Sequence, residues 1–170
     1  MTDTLTIFVE PLTATAFAPF GQVIEREGAH HYPINGGMTE RYHDLAGIEA
    51  IGRNARVLIS IFRGKPYAFP LELKLVERHP LGSQAFIPLG GRPYLVVVCH
   101  GTPGDPGEPH AFVAGPGQGV NYPRNRWHAV LTPIGEPQDF LVVDRGGDGV
   151  NVEEHHFAEP WTIHLPENLP

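Results

Sequence analysis

The stretch that decides the fold reads Glu77-Arg78-His79-Pro80-Leu81-Gly82-Ser83-Gln84, followed by six residues and then Gly91. A second stretch starts at Gly117, reaches Pro123 after five further residues and continues to Trp127-His128. In the first stretch a carboxylate and a histidine stand two positions apart, so on a β-strand both side chains point to the same face. That geometry suits metal chelation or paired acid and base chemistry.

Together the two stretches resemble a degenerate copy of the two-part signature of cupin β-barrels. In that signature two neighbouring histidines, a carboxylate and a distant histidine converge on one pocket. The resemblance implies that Glu77, His79, Gln84 and His128 share a small space. Glu77 stands where the first histidine is usual, Gln84 where the carboxylate is usual, and Asn125 where a glycine is usual. These four side chains could hold a divalent metal of unknown identity, or form a polar active site without one.

The composition predicts one β-rich domain over residues 1–170. Apolar residues make up 41% of the chain, and its 20 glycines and 18 prolines are scattered between short apolar runs. This distribution favours many strands joined by turns over a helical bundle. The net charge of −7 argues against a nucleic-acid partner, because phosphates attract a basic surface.

The cysteine usage and the hydropathy pattern indicate a cytoplasmic protein. Cys99 is the sole cysteine, which excludes an internal disulfide and fits a reducing compartment. The first residues lack a basic segment followed by an apolar run, so we expect no signal peptide. No apolar stretch approaches the roughly 20 residues that span a bilayer, so we expect no membrane association.

The strand pattern predicts an all-β closed or sandwiched barrel with a short N-terminal helix, and the resemblance to cupins implies a cupin-like double-stranded β-helix. Thr13 can cap that helix, which we expect to continue to about Phe17. Residues 56–62 are β-branched and apolar, and predict a buried strand. Residues 161–165 predict a final strand that pairs at a sheet edge or in a dimer. A closed or sandwiched barrel limits exposed edges, and its mouth is a natural small-molecule site.

Alternation along two strands predicts which side chains face the pocket. It places Leu73, Leu75, Glu77 and His79 on one inward face, and Lys74, Val76 and Arg78 on the other. Arg63 shares the parity of Ile59 and Ile61, so it could end an inward face. Because arginine binds carboxylates in a bidentate way, Arg63 is our preferred partner for a small anionic substrate.

Four motifs in order resemble the ureidoglycolate lyase family of allantoin degradation, over nearly the whole chain. They are Glu40-Arg-Tyr-His-Asp-Leu45, Glu77-Arg-His-Pro-Leu-Gly-Ser-Gln-Ala-Phe-Ile-Pro88, Gly119-Val-Asn-Tyr-Pro-Arg-Asn-Arg-Trp-His128 and Asp139-Phe-Leu-Val-Val-Asp-Arg-Gly-Gly147. The resemblance implies a cytoplasmic, homodimeric cupin-like barrel that splits (S)-ureidoglycolate into glyoxylate and urea, with a divalent metal as a possible cofactor. The absence of a phosphate-binding glycine loop predicts no organic cofactor.

The chemistry of that reaction assigns a role to each candidate residue. We expect His79 and His128 to transfer protons or bind the metal, with Glu77 as their acidic partner. Gln84 would orient the substrate or the metal, and Arg63 would bind the substrate carboxylate. Tyr122 and Asn125 would contact the ureido group.

Three alternatives stay open at this point. One is another cupin-type epimerase, isomerase or dioxygenase that acts on a small carboxylic acid, although a dioxygenase normally has more histidine at its metal. The second is a non-catalytic small-acid-binding barrel, which would bind ureidoglycolate without turnover. The third is an amidohydrolase that acts on ureidoglycolate, which the products would distinguish: urea from a lyase, or ammonia and carbon dioxide.

Overall fold

The computed structural model describes residues 5–170, and strands make up most of its regular structure. The strands are β1 (Thr6–Pro11), β2 (Gln22–Ile24), β3 (His31–Ile34), β4 (Thr39–Tyr42), β5 (Arg56–Gly64), β6 (Leu71–Arg78), β7 (Gln84–Pro88), β8 (Tyr94–Cys99), β9 (Pro109–Ala114), β10 (Gly119–Tyr122), β11 (Trp127–His128), β12 (Thr132–Pro133), β13 (Gln138–Gly146) and β14 (Glu153–His164). Besides a 3-10 turn at Asn35–Gly37, one short helix, α1 (Ala14–Phe17), is found in this part of the chain. No helix in it is long and apolar enough to cross a membrane.

The N-terminal helix begins as the sequence predicts. The Thr13 backbone is extended, and its side-chain oxygen accepts a hydrogen bond from the Ala16 N–H at 3.1 Å. This bond satisfies one of the free N–H groups of the first turn. The helix ends one turn later and buries Phe17 completely in the core.

Seven strands form one sheet that closes on itself, which we call the closed sheet. Its order is β11-β6-β14-β1-β9-β8-β12, and β11 also pairs with β8. Because β11 bonds both β6 and β8, the sheet forms a ring. Within it β1 runs parallel to both β14 and β9, so the N-terminal and C-terminal strands lie side by side.

Five further strands form an open sheet in the order β2-β10-β7-β13-β5. The first of two hydrophobic clusters includes Phe86 and Phe140 from this sheet, Val96 and Phe112 from the closed sheet, and Phe17 from α1. The open sheet therefore packs face to face on the β8–β9 side of the closed sheet. This is the closed, cupin-like all-β barrel that the sequence predicts.

The second hydrophobic cluster lies on the opposite face of the closed sheet. It includes Leu73 and Val76 of β6, Val97 of β8 and Ile163 of β14. Both faces of the wall formed by β11, β8 and the second half of β6 are therefore largely buried, whereas Glu72 and Lys74 in the first half of β6 are exposed. Side chains on one face can stabilise the fold while those on the other face build a site.

The buried residues of β6 do not follow the alternation predicted for this strand. Val76 and Arg78 were expected to face outward, but both are buried, and Leu73 packs with Val76 in the second cluster. The regular alternation is broken opposite a register shift in β14, between His156 and Trp161.

Two other strands form where the sequence predicts them, but their surroundings differ from those predicted. Residues 56–62 form a strand as predicted, but β5 is the edge of the open sheet, and Val57, Ile59 and Ile61 on its outer face are exposed. The strand predicted at residues 161–165 belongs to β14, which is paired on both sides, with β6 and with β1. It is therefore not a sheet edge, and these residues have no free edge for strand pairing with a second copy.

Candidate active site

Strand pairing brings three distant titratable side chains together. His128 of β11 is the direct cross-strand partner of Glu77 on β6, and His79 follows at the end of β6. One ligand atom from each of the three lies within 4.8 Å of the other two. The His79 Nε2 atom lies 3.7 Å from a carboxylate oxygen of Glu77. We call these three residues the triad.

Backbone carbonyls orient both imidazole rings. Nδ1 of His79 lies 2.7 Å from the Asn151 carbonyl oxygen, and Nδ1 of His128 lies 2.8 Å from that of Ala129. A carbonyl only accepts hydrogen bonds, so each Nδ1 must carry the proton and donate it. In the neutral form of each ring, Nε2 therefore presents a lone pair. Both Nε2 atoms are buried and have no hydrogen-bond partner within the described chain.

Tyr122 packs flat against His128 and links the two sheets. Their ring centroids are 4.2 Å apart and their planes differ by 4°. Burial, together with the charge of Glu77, raises the pKa of Tyr122, so its phenol remains protonated. Tyr122 is also the cross-strand partner of Gln84, which places Gln84 beside the triad.

Burial shifts the pKa values of the triad itself. It lowers the pKa of His128 from 6.5 to about 3, and the neighbouring His79 contributes to this shift. His128 is therefore neutral near pH 7 and is unsuited to act as a general acid. Burial also raises the pKa of Glu77, opposed by His79 and assisted by Glu154. A carboxylate with a raised pKa is a better proton acceptor.

Gln84 is held by an aspartate that the sequence analysis did not identify. The Gln84 Nε2 group donates to Oδ2 of Asp144 at 3.3 Å, whereas its Oε1 is buried without a partner. Asp144 shares the parity of Phe140 and Val142 on β13, and both of those are fully buried. That parity was the signal in the sequence that could have identified Asp144 as an inward-facing residue.

A cavity of about 440 Å³ lies beside the triad and Gln84. Glu77 and Gln84 line it, together with the apolar side chains of Phe62, Phe86 and Leu131. Arg63 and Gly64 at the end of β5 also line it. The cavity thus combines an apolar wall with a few polar groups, which is typical of small-molecule sites.

Arg63 does not occupy the inward position that its parity predicted. Ile59 and Ile61 face outward, and the Arg63 guanidinium donates to Oδ1 of Asp139 at 3.0 Å. The side chain is 67% exposed. Arg63 therefore lies at the rim of the cavity in an exposed ion pair.

Asn125 supports the turn before His128, and the structure does not bring it into the cavity lining. Its φ of 68° lies in the left-handed region, where asparagine is one of the few tolerated alternatives to glycine. Its N–H donates to the His79 carbonyl at 3.0 Å, and its side-chain oxygen accepts from Arg78 at 3.0 Å. Arg78 is itself paired with Glu153 and lies over the Trp127 ring. Asn125 thus links the turn that precedes His128 to the end of β6, where His79 follows.

A larger cavity, of about 610 Å³, lies near the opposite end of β10. Its lining includes Arg26, His31, Tyr42 and Pro116. It contains none of the triad residues, and its lining is more polar than that of the smaller cavity. Because the converging ligand atoms lie beside the smaller cavity, we place the candidate active site there.

Comparison with known proteins identifies the family of the chain. The family model described as ureidoglycolate lyase matches residues 4–164. The chain belongs to the ureidoglycolate lyase family. It is 68% identical over 160 residues to the ureidoglycolate lyase of Mesorhizobium japonicum, covering 94% of this chain and 98% of that protein. It is 64% identical over 161 residues to that of Chelativorans sp., covering 95% and 98%. It is 56% identical over 155 residues to ureidoglycolate lyase 2 of Rhizobium meliloti, covering 91% and 95%.

The triad of this ureidoglycolate lyase family member fits a divalent metal. Two neutral imidazoles and one carboxylate suit zinc, manganese, nickel or iron. Each histidine donates a hydrogen bond from its Nδ1–H to a backbone carbonyl, and such a bond usually orients a metal-binding histidine. The two buried and unpartnered Nε2 atoms are costly unless a ligand satisfies them.

Proposed function

We propose that this protein is an enzyme that splits (S)-ureidoglycolate into glyoxylate and urea, a step of allantoin and purine degradation. The observation that carries this proposal is the triad: two imidazole lone pairs and a carboxylate with a raised pKa converge beside a cavity. Membership in the ureidoglycolate lyase family supports the choice of substrate. A carbon–nitrogen lyase needs only proton transfer and charge stabilisation, which these groups can supply.

The reaction breaks one carbon–nitrogen bond and forms one carbonyl group. The substrate hydroxyl loses its proton, and its oxygen becomes the aldehyde oxygen of glyoxylate. The electron pair of the broken bond leaves with the nitrogen, which gains a proton and becomes part of urea. The enzyme therefore needs a proton acceptor at the hydroxyl and a donor at the departing nitrogen.

Glu77 is the residue that we propose for this proton transfer. Its carboxylate lines the cavity, and burial raises its pKa towards neutrality. It can accept the hydroxyl proton and return it to the departing nitrogen, so that no net proton is exchanged with solvent. His128 is unsuited to the donor role because its low pKa keeps it neutral.

Glu77, His79 and His128 are also the residues that would hold a divalent metal. Such a metal, when bound, supplies positive charge that makes the substrate hydroxyl more acidic. The carbonyl partners of the two histidines keep both Nε2 atoms directed towards a common point. We assign Gln84 to the substrate because a neutral amide is a weak ligand.

Arg63 remains the proposed partner of the substrate carboxylate. Among the described residues that line the cavity, it is the only one with a positive charge. Its exposed pair with Asp139 stabilises the fold by little, so the guanidinium can exchange that partner for the substrate at small cost. Tyr122 would keep His128 in place and complete the inner wall, while Asn125 would hold the preceding turn.

We propose that the protein is a cytoplasmic homodimer and that β5 forms its interface. β5 is a nine-residue edge strand with a free hydrogen-bonding side, and Ile59 and Ile61 on its outer face are 74% and 66% exposed. A long apolar edge of this kind invites pairing with another chain. A second copy there would also lie beside the cavity rim, because Phe62 and Arg63 belong to the same strand. The sole cysteine, Cys99, is a buried free thiol, which fits a reducing compartment.

Product analysis with (S)-ureidoglycolate tests the proposal. We expect glyoxylate and urea in equal amounts from the wild type. We also expect a fall in kcat of at least about 100-fold in Glu77→Gln. Glu72→Gln is the matched control, because Glu72 lies on the same strand but is exposed and next to Lys74. Ammonia in place of urea, or a Glu77→Gln rate within threefold of the control, would overturn the assignment.

A further inference from the structure

The side-chain amide of Gln84 is buried, oriented and incompletely paired. Gln84 is 8% exposed, and its Nε2 group donates to Asp144. Its Oε1 atom is buried and has no partner within the described chain. A buried carbonyl oxygen without a donor is costly, and a ligand that supplies an N–H group would remove this cost.

Asp144 decides which end of the Gln84 amide is free. An ionised carboxylate only accepts hydrogen bonds, so it attracts the amide nitrogen and repels the amide oxygen. The flipped amide would place two acceptors against each other. Asp144 therefore keeps Oε1 directed away from itself and available as an acceptor.

Asp144 itself has unused capacity for hydrogen bonds. No lysine, arginine or histidine among residues 5–170 forms an ion pair with it, and Arg145 next to it bonds the carbonyls of Ile51 and Asp148. A carboxylate can accept about four hydrogen bonds, and Gln84 uses one of them. The pair thus presents acceptors from both residues, and one N–H of the amide is already directed at Asp144.

We infer that Gln84 and Asp144 form a subsite for the ureido end of the substrate, and that they recognise its terminal amino group. A terminal –NH₂ of a urea is a hydrogen-bond donor, which complements the free amide oxygen of Gln84. Gln84 would contact the substrate, and Asp144 would be a positioning residue that acts mainly through Gln84. The inference rests on the proposed function for the identity of the substrate. It names the part of the substrate that each end of the cavity takes: the carboxylate at Arg63 and the ureido group at Gln84.

The test compares two ligands of nearly equal shape. N-carbamoylglycine carries the terminal –NH₂ group, and N-acetylglycine carries a methyl group in its place. Neither has the hydroxyl that cleavage requires, so calorimetry measures binding without turnover. We expect the wild type to bind N-carbamoylglycine at least about tenfold more tightly, because the methyl group leaves buried acceptors unpaired.

Three variants separate the positioning role from a merely structural one. Asp144→Asn should reduce the preference to within about threefold, because an asparagine lets the Gln84 amide flip. The double variant Asp144→Asn/Gln84→Glu should restore it, because the new asparagine can donate to the new carboxylate, whose second oxygen is then free. Asp148→Asn is the matched control, since Asp148 lies outside the barrel beside Arg53 and Asn54.

The outcomes distinguish this inference from the proposed function. An unchanged preference in Asp144→Asn, or no preference in the wild type, overturns the subsite even if glyoxylate and urea are formed. If the preference for N-carbamoylglycine is lost in Asp144→Asn and restored in the double variant, the subsite is supported even if ureidoglycolate is not cleaved. In that case only the proposed function fails. If Asp144→Asn does not fold, Gln84→Met must abolish the preference with an unchanged Tm, and a retained preference overturns the inference.

Discussion

His128 shows how burial decides the chemistry of a single residue. It is 1% exposed, stacked on Tyr122 and paired with a backbone carbonyl. A charged imidazole in this position would lose its hydration, so the neutral form is favoured. The same burial that makes His128 a poor acid leaves its Nε2 lone pair available to a metal.

The low pKa of His128 predicts a specific dependence of stability on pH. Its pKa is about 3 in the folded state and 6.5 in the unfolded state, so the unfolded state binds the extra proton between these values. Stability is therefore lost as the pH falls through 6.5 towards 3. Between pH 7 and pH 5 we expect the free energy of unfolding to fall by about 2 kcal/mol more in the wild type than in His128→Gln.

Urea unfolding in the presence of a chelator measures this difference. Glu77 contributes with the opposite sign, because its pKa is raised in the folded state, but it is present in both proteins. His156→Gln is the control, since His156 is exposed, and it should behave as the wild type does. Equal pH dependence in wild type and His128→Gln would show that His128 is not buried in its neutral form.

At the scale of elements, β5 differs from the other long strands in having one unpaired edge. It pairs with β13 along its whole length, from Arg56 to Gly64, and with no other strand of the described chain. Its inner residue Phe62 contacts Phe86 in the core, whereas Ile59 and Ile61 face outward. A strand that is hydrogen-bonded along one edge, unpaired along the other and apolar on its outer face is suited to bind a second copy.

Charges on the outer face of β5 should therefore change the oligomeric state. We expect the wild type to sediment as a dimer and Ile59→Lys/Ile61→Lys to sediment as a monomer, because two lysines in an apolar interface would be desolvated. Val150→Lys is the control, since Val150 is 77% exposed in a loop away from β5. A monomeric wild type at micromolar concentration, or a dimeric double variant, contradicts the proposed interface.

At the scale of the whole molecule, the triad lies where the closed sheet closes. His128 belongs to β11, which joins β6 to β8 and so completes the ring. Glu77 and His79 belong to β6 and the residues that follow it. A metal bound by all three would connect strands across this closure, and it would bind only the folded chain.

Metal binding should consequently raise the thermal stability of the protein. A ligand present at 100 times its Kd stabilises the folded state by about 2.7 kcal/mol, which corresponds to a Tm increase of about 5–10 °C for a chain of this size. We expect this shift when Mn²⁺, Zn²⁺, Ni²⁺ or Co²⁺ is added to the chelated wild type. His79→Gln should lose most of it, and His156→Gln should keep it. Unchanged Tm values with all four ions would argue against a metal at the triad.

Much of the fold and part of the site follow from the sequence by itself. β-branched runs separated by glycine and proline predict the strands, and Thr13 predicts the start of the helix, because these signals depend on local geometry. The spacing of Glu77, His79, Gln84 and His128 resembles a known signature, and three of these residues form the triad. The exposed face of β5 could not be predicted, since an apolar strand at an edge and one in a core have the same composition.

Only the tertiary structure decided the environment of each side chain. Closure of the sheet through β11 covers both faces at the end of β6, which local alternation cannot foresee, and so Val76 and Arg78 are internal. Pairing of β14 with β1 and β6 places the last strand inside the closed sheet and not at its edge. Asp144 becomes part of the site because β13 and β7 pair across some 60 residues of sequence. Alternation determines which residues share a face, but what that face meets depends on non-local pairing and burial.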